Sequence, residues 1–508
     1  MKKNTVIKKI FYYLIVILFT CSCTGDRNLT NELDNETPNN PQNNIPPDNF
    51  SVKIDSITHE SAFLSWDKAN DFENDEIKYD VVLNGSTLLM NSTKLELKIN
   101  NLNELTNYIG KVVAKDTSGN ITSTDFTFTT VKYYLRYLKK YGFPQTNYGG
   151  LANQVLKLRD NSFLILGKNN AQGVGSKLNV TKVDISGNLI WNKLLPVEYL
   201  GNVAGSNMKM IQCANSNNII IGAGRNVTKI DFDGNIIWVK FLNSFNDNWS
   251  TSGIESLVEN SSNEIYVVGH AKSTNAHKHA AGHLTKLNSN GIIIFEKVFE
   301  NAFNTEFKEI IIDGPKLVIF GTKEISGITW DQYLANQTLQ VKFNILYTDL
   351  NGNYINEKNY NDPGYAFAMG FFKKSNGNYI FYGYSAIADY TTGIYEVNSN
   401  GDLIWKKNYP SYGSISSLKE TPNGNLVAIA MQSGYYYTRT FIYLLDPIGN
   451  DIWNKNFYEM GQDFFGRDIL PDEDGGYRFL ITHGKGYKMN PEDYGVIHLY
   501  KTDPDGNF

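Results

Sequence analysis

Four histidines fall within one stretch, HAKSTNAHKHAAGH, which carries His270, His277, His279 and His283. Imidazoles at short intervals are common donors to zinc or copper. HKHAAGH, however, fits no established ligand frame, so the stretch reads as a surface loop and no metal is assigned. Asp71, Glu73, Asn74 and Asp75 offer oxygens of the kind calcium takes, but without the glycine-pinned spacing of a calcium loop; they read as a solvated acidic loop. No nucleophile elbow, phosphate-binding glycine loop, dinucleotide fingerprint, HExxH helix or pair of catalytic carboxylates can be placed. No cofactor is expected, and an enzyme is the less favoured expectation.

Aromatic residues outside any repeated segment are the better candidates. Trp249 in SFNDNWSTS, Trp330 and Tyr333 in WDQY, Tyr390, the run Tyr435, Tyr436 and Tyr437, and Tyr487 all sit among Asn, Asp and Gln. Aromatic faces stack on the apolar faces of sugars, and amides read hydroxyls. These eight residues are therefore the expected ligand contacts, for a glycan or a protein.

Thiol chemistry is confined to three cysteines. Cys21 and Cys23 follow the apolar run 10–19, itself preceded by Lys2, Lys3, Lys8 and Lys9, in the order of a secretory signal. The segment resembles a bacterial lipoprotein signal, which implies cleavage before Cys23 and acylation of that residue, with residues 1–22 removed. The expected address is the bacterial cell envelope, lipid-anchored, with the outer membrane preferred. Cys213 then stands alone in the body, so neither a disulfide framework nor a cysteine metal site is expected.

Charge narrows the partners further. Lys+Arg 47 against Asp+Glu 52 gives a net charge of −5, and loss of the four leader lysines takes it to about −9. No basic footprint for nucleic acid is present. The membrane, through the lipid, is an expected partner.

The elements that must carry these residues follow in order. Residues 23–49 are Asn- and Pro-rich with little to bury and read as a disordered tether. Residues 50–131 alternate apolar and polar positions in short runs, SAFLSW, IKYDVVL, KLELKI, YIGKVVAKD and STDFTFTT, the pattern of a small β-sandwich. With Trp66, Leu102, Leu105, Tyr108 and the ending AKDTSGN, the segment resembles a fibronectin type III module. That implies that Tyr108 is a corner tyrosine bonding nearby backbone.

Residues 132–508 repeat. VDISGNLIWNK, IDFDGNIIWVK, LNSNGIIIFEK, TDLNGNYINEK, VNSNGDLIWKK, LDPIGNDIWNK and a final TDPDGNF place Gly187, Gly234, Gly291, Gly352, Gly401, Gly449 and Gly506 at intervals of 47 to 61 residues. Such a period suits one four-stranded propeller blade. The Asp or Asn three residues before each glycine is expected to make the turn. Trp191, Trp238, Trp405 and Trp453 share one strand position and are expected to pack between blades. The last copy lacks a fourth strand, and Tyr134 to Gly142 supplies one with Tyr137 and Lys139 in the Trp-x-Lys arrangement. The expected fold is all-β: a fibronectin type III-like sandwich followed by a seven-bladed β-propeller closed by its N-terminal strand.

The G-N-x-x-W-x-K core resembles quinoprotein-type propeller repeats and brushes the Asp box of sialidases. Neither chemistry transfers. Cys213 has no partner for the adjacent-cysteine disulfide of many PQQ enzymes. Arg159, Arg225, Arg439, Arg467 and Arg478 show no three-arginine motif. The expected function is a noncatalytic, lipid-anchored envelope binding protein that recognises a glycan or protein on the face with long loops. A propeller enzyme acting on polysaccharide, a lyase or glycosidase, is the alternative.

Overall fold

The computed structural model describes residues 44–142, 150–171, 175–196, 208–246, 249–273, 280–300, 305–326, 340–360, 366–385, 391–409, 413–433, 438–458, 463–484 and 496–508. All of them are in strands, turns or extended segments, with no helix among them. The chain divides into two compact units, Met1–Tyr133 and Tyr134–Phe508.

In the first unit a three-stranded sheet (Val52–Asp55, Ala62–Trp66, Glu96–Ile99) and a four-stranded sheet (Ser86–Ser92, Lys78–Leu83, Asn107–Lys115, Ile121–Thr129) enclose one core. Leu64, Trp66, Tyr79, Val81, Tyr108 and Val112 are buried in it. Tyr108 bonds nearby backbone as expected: its hydroxyl accepts from the Asn103 N–H at 2.8 Å. Tyr79 does the same for Ala69 at 2.8 Å. The acidic loop caps itself, with the Asp71 carboxylate accepting from the Asp75 N–H at 3.0 Å. Residues 44–49, expected in the tether, belong to the sandwich. Asn120 donates to the Asn44 side chain at 2.6 Å and Pro47 is buried, its carbonyl accepting from the Thr122 hydroxyl. A polar, proline-bearing strip can cover a sheet edge without an apolar run to announce it.

The second unit contains seven antiparallel sheets among the described residues, each a simple up-and-down meander. Their inner strands are Gly150–Lys157, Met208–Gln212, Trp249–Glu259, Thr305–Asp313, Ala366–Lys373, Ser414–Glu420 and Asp463–Pro471, each the first of its sheet except Trp249–Glu259, which the short strand Ser244–Asn246 precedes. Each inner strand neighbours those of the sheets before and after, and the seventh neighbours the first. Hydrophobic clusters sit between sheets, each shared by two in succession, and one built from Tyr141, Val155, Ile165, Leu480 and Leu499 joins the seventh sheet to the first. Burial between neighbours, not within one sheet, therefore holds the ring together.

The seventh sheet takes its fourth strand from the start of the unit. Tyr137–Tyr141 pairs antiparallel with Ile497–Lys501, Lys139 opposite Leu499. Buried Arg478 secures this seam: it donates to Asp472 at 2.9 Å, to the Tyr137 hydroxyl at 3.3 Å and to the Ile185 carbonyl at 3.3 Å, and its guanidinium lies over the Phe163 ring.

The repeat acts across sheets. Its Asp makes the turn, as Asp231 does by accepting from the Asn235 N–H at 2.7 Å and the Asp233 N–H at 3.0 Å. Those bonds, the Asn235 one foremost, hold its carboxyl below the usual range. The glycine adopts positive φ, +79° at Gly234, and receives the aromatic ring of the preceding sheet. The repeat lysine then reaches the next Asn, Lys193 to Asn235 at 2.8 Å and Lys297 to Asn353 at 2.8 Å, and Lys139 of the exchanged strand does so to Asn188 at 3.2 Å. Ile292 replaces that Asn after Gly291, and at this repeat Trp238 Nε1 donates to the Ser289 carbonyl at 3.1 Å.

Candidate functional site

The inner strands line a central channel, and a shared irregularity aims their side chains into it. Six of the seven carry a β-bulge, leaving Asn153, Glu255, Lys308, Met369, Ser416 and Arg467 without a cross-strand partner. A bulge inserts one residue and bends the strand, re-aiming a side chain that strict alternation would turn elsewhere. Four facing strands place a glycine at the bulge. A Cβ at Gly167, Gly269, Gly321 or Gly383 would collide with a carbonyl oxygen of the bulged strand. That glycine follows apolar residues in ILG, VVG, VIFG and FYG, a trace of the facing bulge that does not say which residues meet in the channel.

Two cavities result. The inner one, about 170 Å³, is lined by residues from all seven inner strands, including Gln154, Lys209, Glu255, Glu309, Met369, Ser416, Lys419, Arg467 and Asp468, with Tyr382 from a second strand. The other, about 230 Å³, shares Glu255 and Met369 and adds His270, Glu306, Lys308, Thr322, Phe367 and Tyr384. Both are smaller than the usual small-molecule site of about 300–1,000 Å³.

Charge pairs organise the walls. Lys209 donates to Glu309 at 3.0 and 3.1 Å, and the Ser256 hydroxyl adds a bond to the same carboxylate at 2.6 Å. Lys308 meets Glu255 at 2.7 Å, with His270 Nδ1 3.7 Å from the other Glu255 oxygen. Asp468 accepts from the Val155 N–H at 2.9 Å and the Ser417 hydroxyl at 2.7 Å. Burial first, and then the Glu309 and Asp468 charges, drive the Tyr382 phenol well above its usual range, so it stays protonated as a donor. Arg467 has no ion-pair partner among the described residues; its Nε and the Ser416 hydroxyl are buried without a hydrogen bond. Burial also lowers the Arg467 pKa.

At the second cavity Phe367 and Tyr384 stack, centroids 4.7 Å apart with planes at 18°, and Phe367 keeps 37% of its surface exposed.

Trp249, expected in a loop, begins the third inner strand, with its backbone opposite Ser273. Trp330, Tyr333, Tyr390, Tyr435, Tyr436, Tyr437, Tyr487 and Cys23 lie outside the described residues, as do His277 and His279. The reading of 270–283 as a loop is corrected at both ends. His270 lies in the strand Ile265–Ser273, and His283 lies in Ala280–Leu287 opposite Gly269, fully buried. Apolar neighbours in the strand, Ala281 and Leu284, take His283 into the core, where burial lowers its pKa to about 3. Among the described residues no group of three or more His, Cys, Asp or Glu side chains is arranged to hold a metal ion. None of Glu255, Lys308, Ser416 or Arg467 was singled out as a site residue from the sequence, because each is one of several polar positions in its strand and nothing local sets it apart.

No family model matches the chain, and no curated protein matches it. Among solved structures it is similar to a PL25 ulvan lyase (10% identity, 72% of this chain and 97% of that one, TM-score 0.47). It is also similar to a quinoprotein alcohol dehydrogenase-like protein from Bacteroides thetaiotaomicron (12%, 79% and 92%, TM-score 0.39) and a protein of unknown function from Bacteroides caccae (12%, 55% and 90%, TM-score 0.36). Identity at this level speaks of chain arrangement and not of chemistry. The chain itself is all-β among the described residues, built mostly of four-stranded antiparallel sheets.

Proposed function

We propose that the chain is a lipid-anchored protein of the bacterial cell envelope in which a fibronectin type III-like module precedes a seven-bladed propeller, and that the propeller's channel mouth binds a glycan. The observation that carries the glycan reading is the second cavity. An exposed aromatic face, Phe367 on Tyr384, stands beside Glu306, Lys308, His270 and Thr322, the pairing of stacking platform and hydroxyl-reading groups that sugars require. The lysine-rich leader and Cys23 support the anchor, and the outer membrane is the preferred address; the exchanged strand and the ring of inner strands support the blade count. The aromatics Trp249, Trp330, Tyr333, Tyr390, Tyr435, Tyr436, Tyr437 and Tyr487 would extend the platform. A glycan array probed with the full chain tests the reading. Binding lost in Phe367→Ala at unchanged melting temperature supports it; an array without hits, with an envelope protein captured instead, moves the ligand class.

A second reading has its own observation. Glu255, His270 and Lys308 meet at the cavity, which is the convergence of acid and base that a polysaccharide-cleaving enzyme needs. New reducing ends or unsaturated products from a bound polysaccharide, abolished in Glu255→Gln, would establish catalysis.

A further inference from the structure

The channel holds donors that the protein leaves unused. Ser416 and Arg467 are the bulge residues of neighbouring inner strands. The bond from the Ser417 hydroxyl to Asp468 at 2.7 Å ties the next residue of each strand together, so the two bulges stand at one level. Both side chains line the inner cavity, and the Ser416 hydroxyl and Arg467 Nε are each buried without a partner. Buried donors are nearly always satisfied, and leaving one unmade costs more than a made bond contributes. Two orphans on one cavity wall mark a place for an acceptor. Lys419 lines the same cavity and has no carboxylate within ion-pair distance among the described residues.

The acceptor's charge follows from the pairing. Every carboxylate on the cavity is already engaged: Glu309 by Lys209 and Ser256, Glu255 by Lys308, Asp468 by Val155 and Ser417. The cations left over are Arg467 and Lys419. A guanidinium prefers a planar or multi-oxygen anion, which can accept two of its parallel N–H groups.

We propose that Arg467, Ser416 and Lys419 form an oxyanion site in the channel that takes the carboxylate or sulfate group of an acidic sugar. The sugar part rests on the glycan reading above; the oxyanion part does not. The Ser416 hydroxyl and the Arg467 fork bind the oxygens, Lys419 adds charge, and the engaged carboxylates confine the group to that wall.

The test titrates the full chain calorimetrically with three matched oligosaccharides, neutral, uronate-bearing and sulfated, and separately follows its melting temperature in sodium sulfate against sodium chloride at equal ionic strength. At least one acidic oligosaccharide is expected to bind ten-fold or more tightly than the neutral one, and Arg467→Gln to abolish that preference; which acidic sugar wins identifies the group. Equal affinity for all three, or a preference that survives Arg467→Gln, overturns the proposal. If no sugar binds but sulfate raises the melting temperature of the wild type and not of Arg467→Gln, the oxyanion site stands and the glycan reading falls. Absence of both effects overturns the site. Should Arg467→Gln fail to fold, Lys419→Gln decides: a weakened preference supports the site, an unchanged one overturns it.

Discussion

The ring of Trp191 lies against Gly234 of the following sheet, so close that a Cβ there would stand 2.9 Å from the ring edge. The same fit recurs between Trp238 and Gly291, Trp405 and Gly449, and Trp453 and Gly506, and Tyr137 of the exchanged strand makes it with Gly187. The repeat glycine thus has two duties: a left-handed turn and a seat for its neighbour's aromatic side chain.

Gly424 separates the two duties, since its φ is +83° and nothing lies within 4 Å of a Cβ built there. Gly424→Ala should cost only the backbone term, about 1–2 kcal/mol. Gly234→Ala should cost about 1–3 kcal/mol more, because Trp191 must shift. Chemical denaturation of both variants checks this; equal losses would mean that the ring contact is slack.

Deleting Tyr137–Tyr141 removes the fourth strand of the seventh sheet, together with the Tyr141 hydroxyl bond to the Gly187 carbonyl at 2.7 Å. The loss of a buried strand should cost several kcal/mol. Calorimetry should show the transition of the second unit falling steeply while that of the sandwich stays in place. An unmoved transition would refute closure by this strand.

Acid should weaken the second unit through its buried histidines. Burial holds His283 at about 3 and, with the His483 and Lys140 charges adding to it, His498 at about 3, against an ordinary 6.5. Both are neutral when folded. Above pH 6.5 neither state takes up the proton and no stability is lost; as pH falls from about 6.5 towards 3, the unfolded chain binds protons that the folded chain refuses. Stability should fall by up to about 1.4 kcal/mol per pH unit per histidine. His498→Phe should flatten that limb in denaturant midpoints taken from pH 7 to pH 4. An unchanged slope would show that this imidazole protonates in place.

Lys374 and Glu396 form a buried pair at 2.8 Å, and the carboxylate also accepts from Asn378 and from Trp405 Nε1 at 2.9 Å. Lys374→Met would strand the carboxylate and should cost about 3–5 kcal/mol. The double variant Lys374→Met with Glu396→Met should recover part of it, as read in urea midpoints.

For the anchor, metabolic labelling with a fatty-acid analogue should be lost in Cys23→Ala and kept in Cys21→Ala. The opposite result moves the modified residue.

The repeat period, the turn-making acids, the seating of the repeat aromatics and the donation of Tyr137–Tyr141 to the last sheet were legible in the amino-acid sequence. Each rests on chemistry within a few residues: an Asp bonding its own turn, a glycine at positive φ, a Trp-x-Lys spacing that still reads correctly at the far end of the unit. Two sandwich strands, Val52–Asp55 and Ser86–Ser92, were not legible, because sparsely buried edge strands show weak alternation. The channel was decided by tertiary structure alone. Val155 and Asp468 are 313 positions apart when they bond, and a bulge, which shifts one residue out of register, is set by what packs across from it. Arg467 and Ser416 look like ordinary surface alternation along their own strands. Only closing seven sheets into a ring turns them towards one cavity and leaves their donors without a partner among the described residues.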